Sequence, residues 1–238
     1  MKLIIDIGNT STKLALFKGK NLFTTLNIKE CSIKSVRDFV ANEAVSATII
    51  SSVKKNNSDL LNILDDYNGT ILSETIPVPI KNHYKTPDTL GVDRLAGVIG
   101  AHFLYPAKDV IVFDLGTCLT IDFLSKKGEY IGGRISPGIE MRYQALHTFT
   151  DKLPLLQKEK NTPIIGNDTT SSIVSGVQLG ILAEVKSTIS EYRLQNPDTV
   201  SVVTGGDCFF FEKELKSSIF ANPNLVMIGL NEILDFNE

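Results

Sequence analysis

Lys2-Leu3-Ile4-Ile5-Asp6-Ile7-Gly8-Asn9-Thr10-Ser11-Thr12-Lys13 is the stretch on which the rest of the chain turns. A short apolar run delivers a carboxylate, breaks at Gly-Asn-Thr and resumes through Leu14, Ala15, Leu16 and Phe17. That is the pattern of two buried strands meeting at a tight turn. The turn gathers an acid, small hydroxyl residues, a glycine and a lysine. Glycine lets backbone N–H groups approach an anion, hydroxyls donate to it, and lysine brings a mobile positive charge. The same logic returns in Val110-Ile111-Val112-Phe113-Asp114-Leu115-Gly116-Thr117-Cys118-Leu119-Thr120-Ile121-Asp122-Phe123. One Asp-x-Gly turn is weak evidence. Two, each opening a half of the chain, point to an internal duplication with two phosphate-facing hairpins across a cleft. The plain alternative is a pair of hairpins whose Asp caps the turn.

The 238 residues suffice for one large domain or two small ones with real cores. A hydrophobic share of 42% and a charged share of 21% are those of an ordinary globular protein. The net charge of −3 argues against a broad nucleic-acid surface, so an anionic substrate needs local donors. Cys31, Cys118 and Cys208 are odd in number and widely spaced, which disfavours both zinc and a disulfide framework and suits a reducing interior. Cys118 reads as a small residue filling a tight turn rather than as a nucleophile. No leader-like segment and no apolar run near the roughly 20 residues of a membrane span is visible, so a cytoplasmic location is expected.

Along the chain, helical spacing over residues 34–42, a buried strand at 47–51, a helix marked by Leu60, Leu61 and Leu64, and a short strand at 70–72 predict a mixed-sheet α/β unit. A polar stretch from Asn82 then enters a helix carrying Leu95, Val98, Ile99, Phe103 and Leu104. Asp93 and Arg94 sit in its first turn. Asp there compensates the helix dipole, but a cation is disfavoured at a helix start and needs an anion to offset the cost. Gly132-Gly133-Arg134-Ile135-Ser136-Pro137-Gly138 leaves backbone close to its neighbours, and a helix with Met141, Ala145 and Leu146 follows. His147 reads as a surface or core residue, and with three His in all a transition-metal site has little support. A loop over residues 161–167 leads to Asp168-Thr169-Thr170-Ser171-Ser172, a capping cluster for a long helix reaching about Arg193. Capping explains one hydroxyl, not four. A strand over 199–203 ends in Thr204-Gly205-Gly206, a turn against which a flat ligand can slide. The stretch from Leu225 to Asn231 predicts a last short strand and a helix. Neither a Walker A signature nor a strand-GxGxxG-helix fingerprint occurs.

Taken together these residues resemble the acetate and sugar kinase, Hsp70 and actin superfamily, and within it the type III pantothenate kinases. The motifs are Asp6-x-Gly-Asn-Thr-x-x-Lys13, Tyr84-x-x-Pro87-x-x-x-Gly91-x-Asp93-Arg94, Asp114-x-Gly-Thr117-x-x-Thr120, Gly132-Gly133-x-Ile135-x-Pro137-Gly138, Gly166-Asn167-Asp168-Thr169 and Thr204-Gly205-Gly206. The resemblance implies two duplicated ribonuclease H-like (actin-like ATPase) domains, mixed sheets flanked by helices with a cleft between them. Residues 1–112 would carry the first phosphate loop and the catalytic Asp, and residues 113–238 the second loop and an adenine-side Gly-Gly turn.

It further implies ATP-dependent phosphorylation of pantothenate to 4′-phosphopantothenate, the first step of coenzyme A synthesis. ATP would be bound by Asp6, Ile7, Gly8, Asn9, Thr10, Ser11, Thr12, Lys13 and Thr117, with Mg²⁺ on Asp6 and a monovalent cation, K⁺ or NH₄⁺, on Asp114. Pantothenate would be held by Tyr84, Gly91, Val92, Asp93, Arg94 and Thr169, with Asp93 the base and Arg94 pairing the substrate carboxylate. Thr169, rather than Thr170, would reach substrate across a homodimer interface. Cys118 stands where the family usually has alanine. No nucleic acid or membrane partner is implied. Two rival readings stay open: a superfamily kinase for another small alcohol or sugar, and a non-catalytic ATP-binding regulatory module.

Overall fold

The computed structural model describes residues 1–53, 58–215 and 219–238. In chain order its elements are β1 (Lys2–Ile7), β2 (Thr12–Lys18), β3 (Asn21–Ile28), α1 (Ile33–Val40), β4 (Ala47–Ser52), α2 (Ser58–Asp66), β5 (Gly69–Ile71), β6 (Lys81–Asn82) and α3 (Val92–Leu104). There follow β7 (Val110–Leu115), β8 (Cys118–Ser125), β9 (Glu129–Pro137), α4 (Ile139–Thr148), α5 (Thr169–Gln195), β10 (Val200–Thr204), α6 (Cys208–Leu215), β11 (Phe220–Ala221) and α7 (Leu225–Phe236).

Two compact units are built from interleaved sequence. The first comprises Met1–Ala107, Leu124–Ile131 and Asn224–Glu238, the second Lys108–Phe123 and Gly132–Pro223. The halves expected at 1–112 and 113–238 are a different partition, because the β8–β9 tip and α7 belong to the first unit.

In the first unit the strand order is β3-β2-β1-β4-β5. β1 runs antiparallel to β2 and parallel to β4, with Asp6 opposite Lys13 on one side and Ser51 on the other. Side chains alternate across a sheet, so odd and even positions of β1 face opposite layers. Leu3, Ile5 and Ile7 join Leu14, Leu16, Val36, Val40, Leu60 and Ile63 in the core beneath α1 and α2. Asp6 therefore shares the opposite face with Ile4, and Lys13 and Ser51 stand beside it there. On α3 the run from Arg94 to Ala101 is buried, in keeping with its packing against both α7 and β4.

The second unit repeats the plan. Its order is β11-β10-β7-β8-β9; β6 pairs with the start of β9, Lys81 opposite Glu129 and Asn82 opposite Tyr130, all four residues of the first unit. β7 is central as β1 is, it runs parallel to β10 as β1 does to β4, and Thr204 lies opposite Asp114 as Ser51 lies opposite Asp6. The duplication expected from the paired Asp-x-Gly hairpins is thus present as two mixed sheets of matching order. The core below α4, α5 and α6 is made by Ile111, Phe113, Leu119, Ile121, Val177 and Ile181, among others.

One expectation fails. Residues 225–231 form no strand; the whole stretch Leu225–Phe236 is helix. The run Leu-Val-Met-Ile suits either state by composition, and burial of Leu225, Met227, Leu230, Ile233 and Leu234 against α3 decides for the helix. The 27-residue α5 begins where the capping cluster predicts. Asp168 accepts from Ser171 N–H at 2.8 Å and Ser171 answers on the Asp168 N–H, a reciprocal capping box.

Candidate active site

Within the first unit three groups meet on the face of the sheet below α3 and α7. The first is the opening loop. Gly8 N–H donates to the Ser11 carbonyl at 3.0 Å, and Asn9, Thr10 and Ser11 stand exposed at the tip. Lys13 projects beside Asp6, and its Nζ donates to Asn224 Oδ1 at 3.3 Å. The alternation of the strands sends Ile7 and Thr12 to the other face. Both are buried there, and the Thr12 hydroxyl meets no hydrogen-bond partner among the described residues. These two can serve a ligand only through their backbone.

The second group is the carboxylate pair. Burial pushes the Asp6 carboxyl up to about 6, with the Ser51 hydroxyl pulling it down, the Asp93 charge raising it and the Lys13 ammonium lowering it. Two acids in electrostatic reach of one another, one of them reluctant to ionise, are a pair that a cation would relieve. Among the described residues no group of three or more His, Cys, Asp or Glu side chains is arranged to hold a metal ion. A divalent ion therefore fits here as one carried in with phosphate oxygens rather than caged by protein ligands.

The third group is built around the start of α3. Asp93 Oδ1 accepts from the Arg94 N–H at 2.8 Å, one of the donors a helix start leaves unsatisfied. A Cβ on Gly91 would lie 2.5 Å from that same oxygen, so the carboxylate has room only because residue 91 is glycine. Arg94 is 8% exposed, and its guanidinium lies 5.7 Å from the centre of the Tyr84 ring. Tyr84 in turn stacks on the fully buried Tyr130, with centroids 6.0 Å apart and planes at 22°. The cation, two aromatic planes and the strand pairing of β6 with β9 thus form one stack. Asp6, Lys13, Tyr84, Gly91, Val92, Asp93 and Arg94 all belong to this unit.

In the second unit the β7–β8 hairpin carries Asp114, Gly116 and Thr117. Gly116 N–H donates to the Cys118 carbonyl at 3.0 Å, and Gly138 N–H to the Thr117 carbonyl at 3.1 Å. Glycine is required at two neighbours of this loop. A side chain at Gly138 would overlap the carbonyls of Gly116 and Thr117, and one at Gly205 would overlap Asp114 Oδ1 and the Leu115 carbonyl. Gly205 also adopts φ +90°, which other residues rarely do. The Gly-Gly turn therefore seats itself against Asp114. A carboxylate among backbone oxygens is a donor set that suits a hard cation. Gly205→Ala is expected to cost at least about 2 kcal/mol from the positive φ and the overlap together, seen as a melting temperature lower by about 4–8 °C; an unshifted melt would show that the turn is slack.

Thr169 is the first residue of α5 and lines an open cavity of about 1000 Å³ with Met141, Leu146, Leu153, Ile173 and Val177. Thr170 is not among the lining residues. Apart from Thr169 the cavity contains none of the expected site residues, and its wall is largely apolar. Cys118 contacts Met141 Sδ at 3.9 Å, as befits a small packing residue. His147 Nδ1 lies 2.8 Å from the Leu153 carbonyl and is exposed. Sequence reading passed over Ser51, Tyr130 and Asn224. Ser51 had a signal, as the small hydroxyl ending the parallel strand next to β1. Tyr130 and Asn224 reach their places only through tertiary packing.

No helix among the described residues is long and apolar enough to cross a membrane. A family model, type III pantothenate kinase, matches residues 2–191. A relative from Bacteroides fragilis named type III pantothenate kinase is 41% identical over 239 residues, covering 100% of this chain and 98% of its own length. Another of that name, from Christiangramia forsetii, is 42% identical over 247 residues, covering 100% and 99%. Among solved structures, the activator of 2-hydroxyisocaproyl-CoA dehydratase from Clostridium difficile with bound ADPNP aligns at a TM-score of 0.54 and 13% identity over 99% of this chain and 93% of that one, a likeness of fold. By sequence along its whole length, the chain belongs to the type III pantothenate kinase family.

Proposed function

We propose that this protein transfers the γ-phosphoryl group of ATP to pantothenate, giving 4′-phosphopantothenate and ADP in the first step of coenzyme A synthesis. The observation that supports it most is the grouping of Asp93, the buried Arg94 and Tyr84 beside Asp6 in one unit of a chain with this family membership. In this reading Arg94 pairs the pantothenate carboxylate and Tyr84 holds the guanidinium in place, with Gly91 and Val92 forming the wall next to them. Asp93 accepts the hydroxyl proton as the alcohol oxygen bonds to the γ-phosphorus and the bond to the β-phosphate oxygen breaks. The loop of residues 6–13 receives the phosphates through backbone N–H groups, the hydroxyls of Thr10 and Ser11 and the Lys13 ammonium, and Thr117 adds a contact from the second loop.

Bound Mg²⁺ on Asp6 supplies neutralisation of phosphate charge. K⁺ or NH₄⁺ is assigned to Asp114. Most of the acceleration then comes from orientation and charge complementarity, with the base adding its share. Thr169 is read as a substrate contact given to a second copy in a homodimer, supported by the exposed Ile164 and Ile165 beside the start of α5. A cytoplasmic location goes with this substrate.

Purified protein with MgATP, K⁺ and pantothenate is expected to yield 4′-phosphopantothenate by mass spectrometry, with the rate falling when Na⁺ replaces K⁺. The same preparation is expected to scatter light as twice the 26.1 kDa chain. Absence of product with pantothenate, but turnover of another alcohol, would move the protein to the other kinases of its superfamily.

A further inference from the structure

Helix α7 touches both the phosphate loop and the helix that carries the base. Asn224 stands at its start, where an Asn side chain ordinarily accepts from the helix's own second or third N–H. It makes no such cap. Its Oδ1 accepts instead from Lys13 Nζ, across 211 positions of sequence. Further along, α7 crosses α3 at backbone contact. A Cβ on Gly229 would overlap the Ala96 carbonyl, and one on Gly100 would overlap the Leu225 carbonyl. At the far end, Lys2 pairs with Asp235 and Lys20 pairs with Glu232 at 2.5 Å. The helix is thus tied to β1, to the β2–β3 turn, to α3 and to Lys13.

We propose that Asn224 is a positioning residue for phosphoryl transfer. It sets the reach of the Lys13 ammonium, while Gly229 and Gly100 fix the same helix to α3, so that phosphate loop and base share one register. The proposal rests on the reading of Lys13 as a phosphate ligand and Asp93 as the base. The chemistry of residue 224 suits the task. A lysine stem is long and loses much rotamer freedom when held. A neutral amide oxygen can hold its ammonium without cancelling the charge the phosphates need, whereas a carboxylate would compete with them.

The test is the binding of MgATP, by calorimetry, to the wild type, Asn224→Ala, Lys13→Ala and the double variant, with Asn224→Asp as a fifth protein. Asn224→Ala is expected to weaken binding about 3–10-fold, the range for one ordinary hydrogen bond, as suits a contact as long as 3.3 Å. Lys13→Ala is expected to weaken it more, and the double variant should match Lys13→Ala within about twofold, because residues acting in series do not multiply their losses. Asn224→Asp is expected to bind more weakly than Asn224→Ala. KM for pantothenate and the melting temperature should stay at wild-type values in Asn224→Ala, which lacks no cap.

Losses that multiply in the double variant would overturn the proposal, as would a lowered melting temperature accompanied by equal changes in both KM values, since either marks a purely structural residue. If Lys13→Ala weakens binding and Asn224→Ala does not, the positioning role alone fails. If Lys13→Ala leaves binding unchanged, the phosphate role of Lys13 falls and this proposal with it.

Discussion

Asp93→Asn is expected to retain MgATP binding and lose at least about 10²-fold in kcat, within the 10²–10⁴ range for a general base. The substitution isolates the proton-accepting role because nearly everything else at the position survives. Asn keeps the Oδ1 that receives the Arg94 N–H at 2.8 Å, so the start of α3 stays formed, and it keeps the size to which Gly91 is fitted. Arg94 and its stack on Tyr84 are untouched, so KM for pantothenate should move by no more than a few-fold. A residual rate above the uncatalysed reaction is also expected, since orientation and charge complementarity remain. Single-turnover kinetics with saturating MgATP read the chemical step directly. A wild-type rate constant there removes Asp93 from the mechanism, and a loss confined to KM reassigns it to substrate binding.

Asp6→Asn is expected to act in opposite directions on stability and activity. The folded carboxyl is pushed up to about 6 against an unfolded value of 3.8. The folded state therefore holds its proton more tightly. Relative stability from this group is fully present below pH 4, is lost as pH rises through 6, and the folded protein carries the whole penalty at pH 7. At 1.36 kcal/mol for each pKa unit, the penalty is about 1–3 kcal/mol once partial solvent access is allowed for. Asn does not titrate. The variant should thus be more stable than wild type at pH 7 by about that amount, and the advantage should shrink towards pH 4. Urea unfolding at the two pH values checks it, and a variant destabilised at pH 7 would refute the buried-charge account. Activity should fall by about 10²-fold or more, because the proposed Mg²⁺ contact loses its preorganised charge. Added MgATP should also stabilise wild type more than the variant, by mass action.

The two predictions share a cause. The Asp93 charge raises the Asp6 carboxyl, so Asp93→Asn should also let Asp6 ionise at lower pH. A site that holds two acids close together keeps part of its folding free energy in reserve for its ligand.

Much of this architecture is legible in the sequence, and the reasons are local. The β1–β2 and β7–β8 hairpins announce themselves because an apolar run, an Asp and a Gly turn are contiguous, and period-two alternation then fixes which face Asp6 and Lys13 share. Arg94 betrays itself by sitting where a cation is disfavoured. The start of α5 is written in Asp168 and Ser171. What stays hidden depends on contacts between distant segments. Nothing beside Tyr130 says that its ring supports Tyr84, because the β6–β9 pairing that joins them is a tertiary event. Nothing around Asn224 says that its oxygen faces Lys13, 211 positions away in sequence. The stretch at Leu225 reads as a strand because composition cannot express the burial against α3 that makes it helical.

That helix has a consequence for how the protein is made. Its first unit is not finished when its first 107 residues have been synthesised, because α7 arrives only after the second unit's segments have been added between. Until then α3 lacks the helix whose Gly229 and Leu225 lie against its Ala96 and Gly100 backbone. The nascent chain can close the second unit's sheet before it completes the first, although the first begins earlier. Contacts of such long sequence separation slow folding, since the loop must close before the contact is gained. Asp93 on α3 and Lys13 beside Asn224 thus gain the support of α7 only after the second unit's segments have been made. An enzyme of this design is assembled around its active site but not from it.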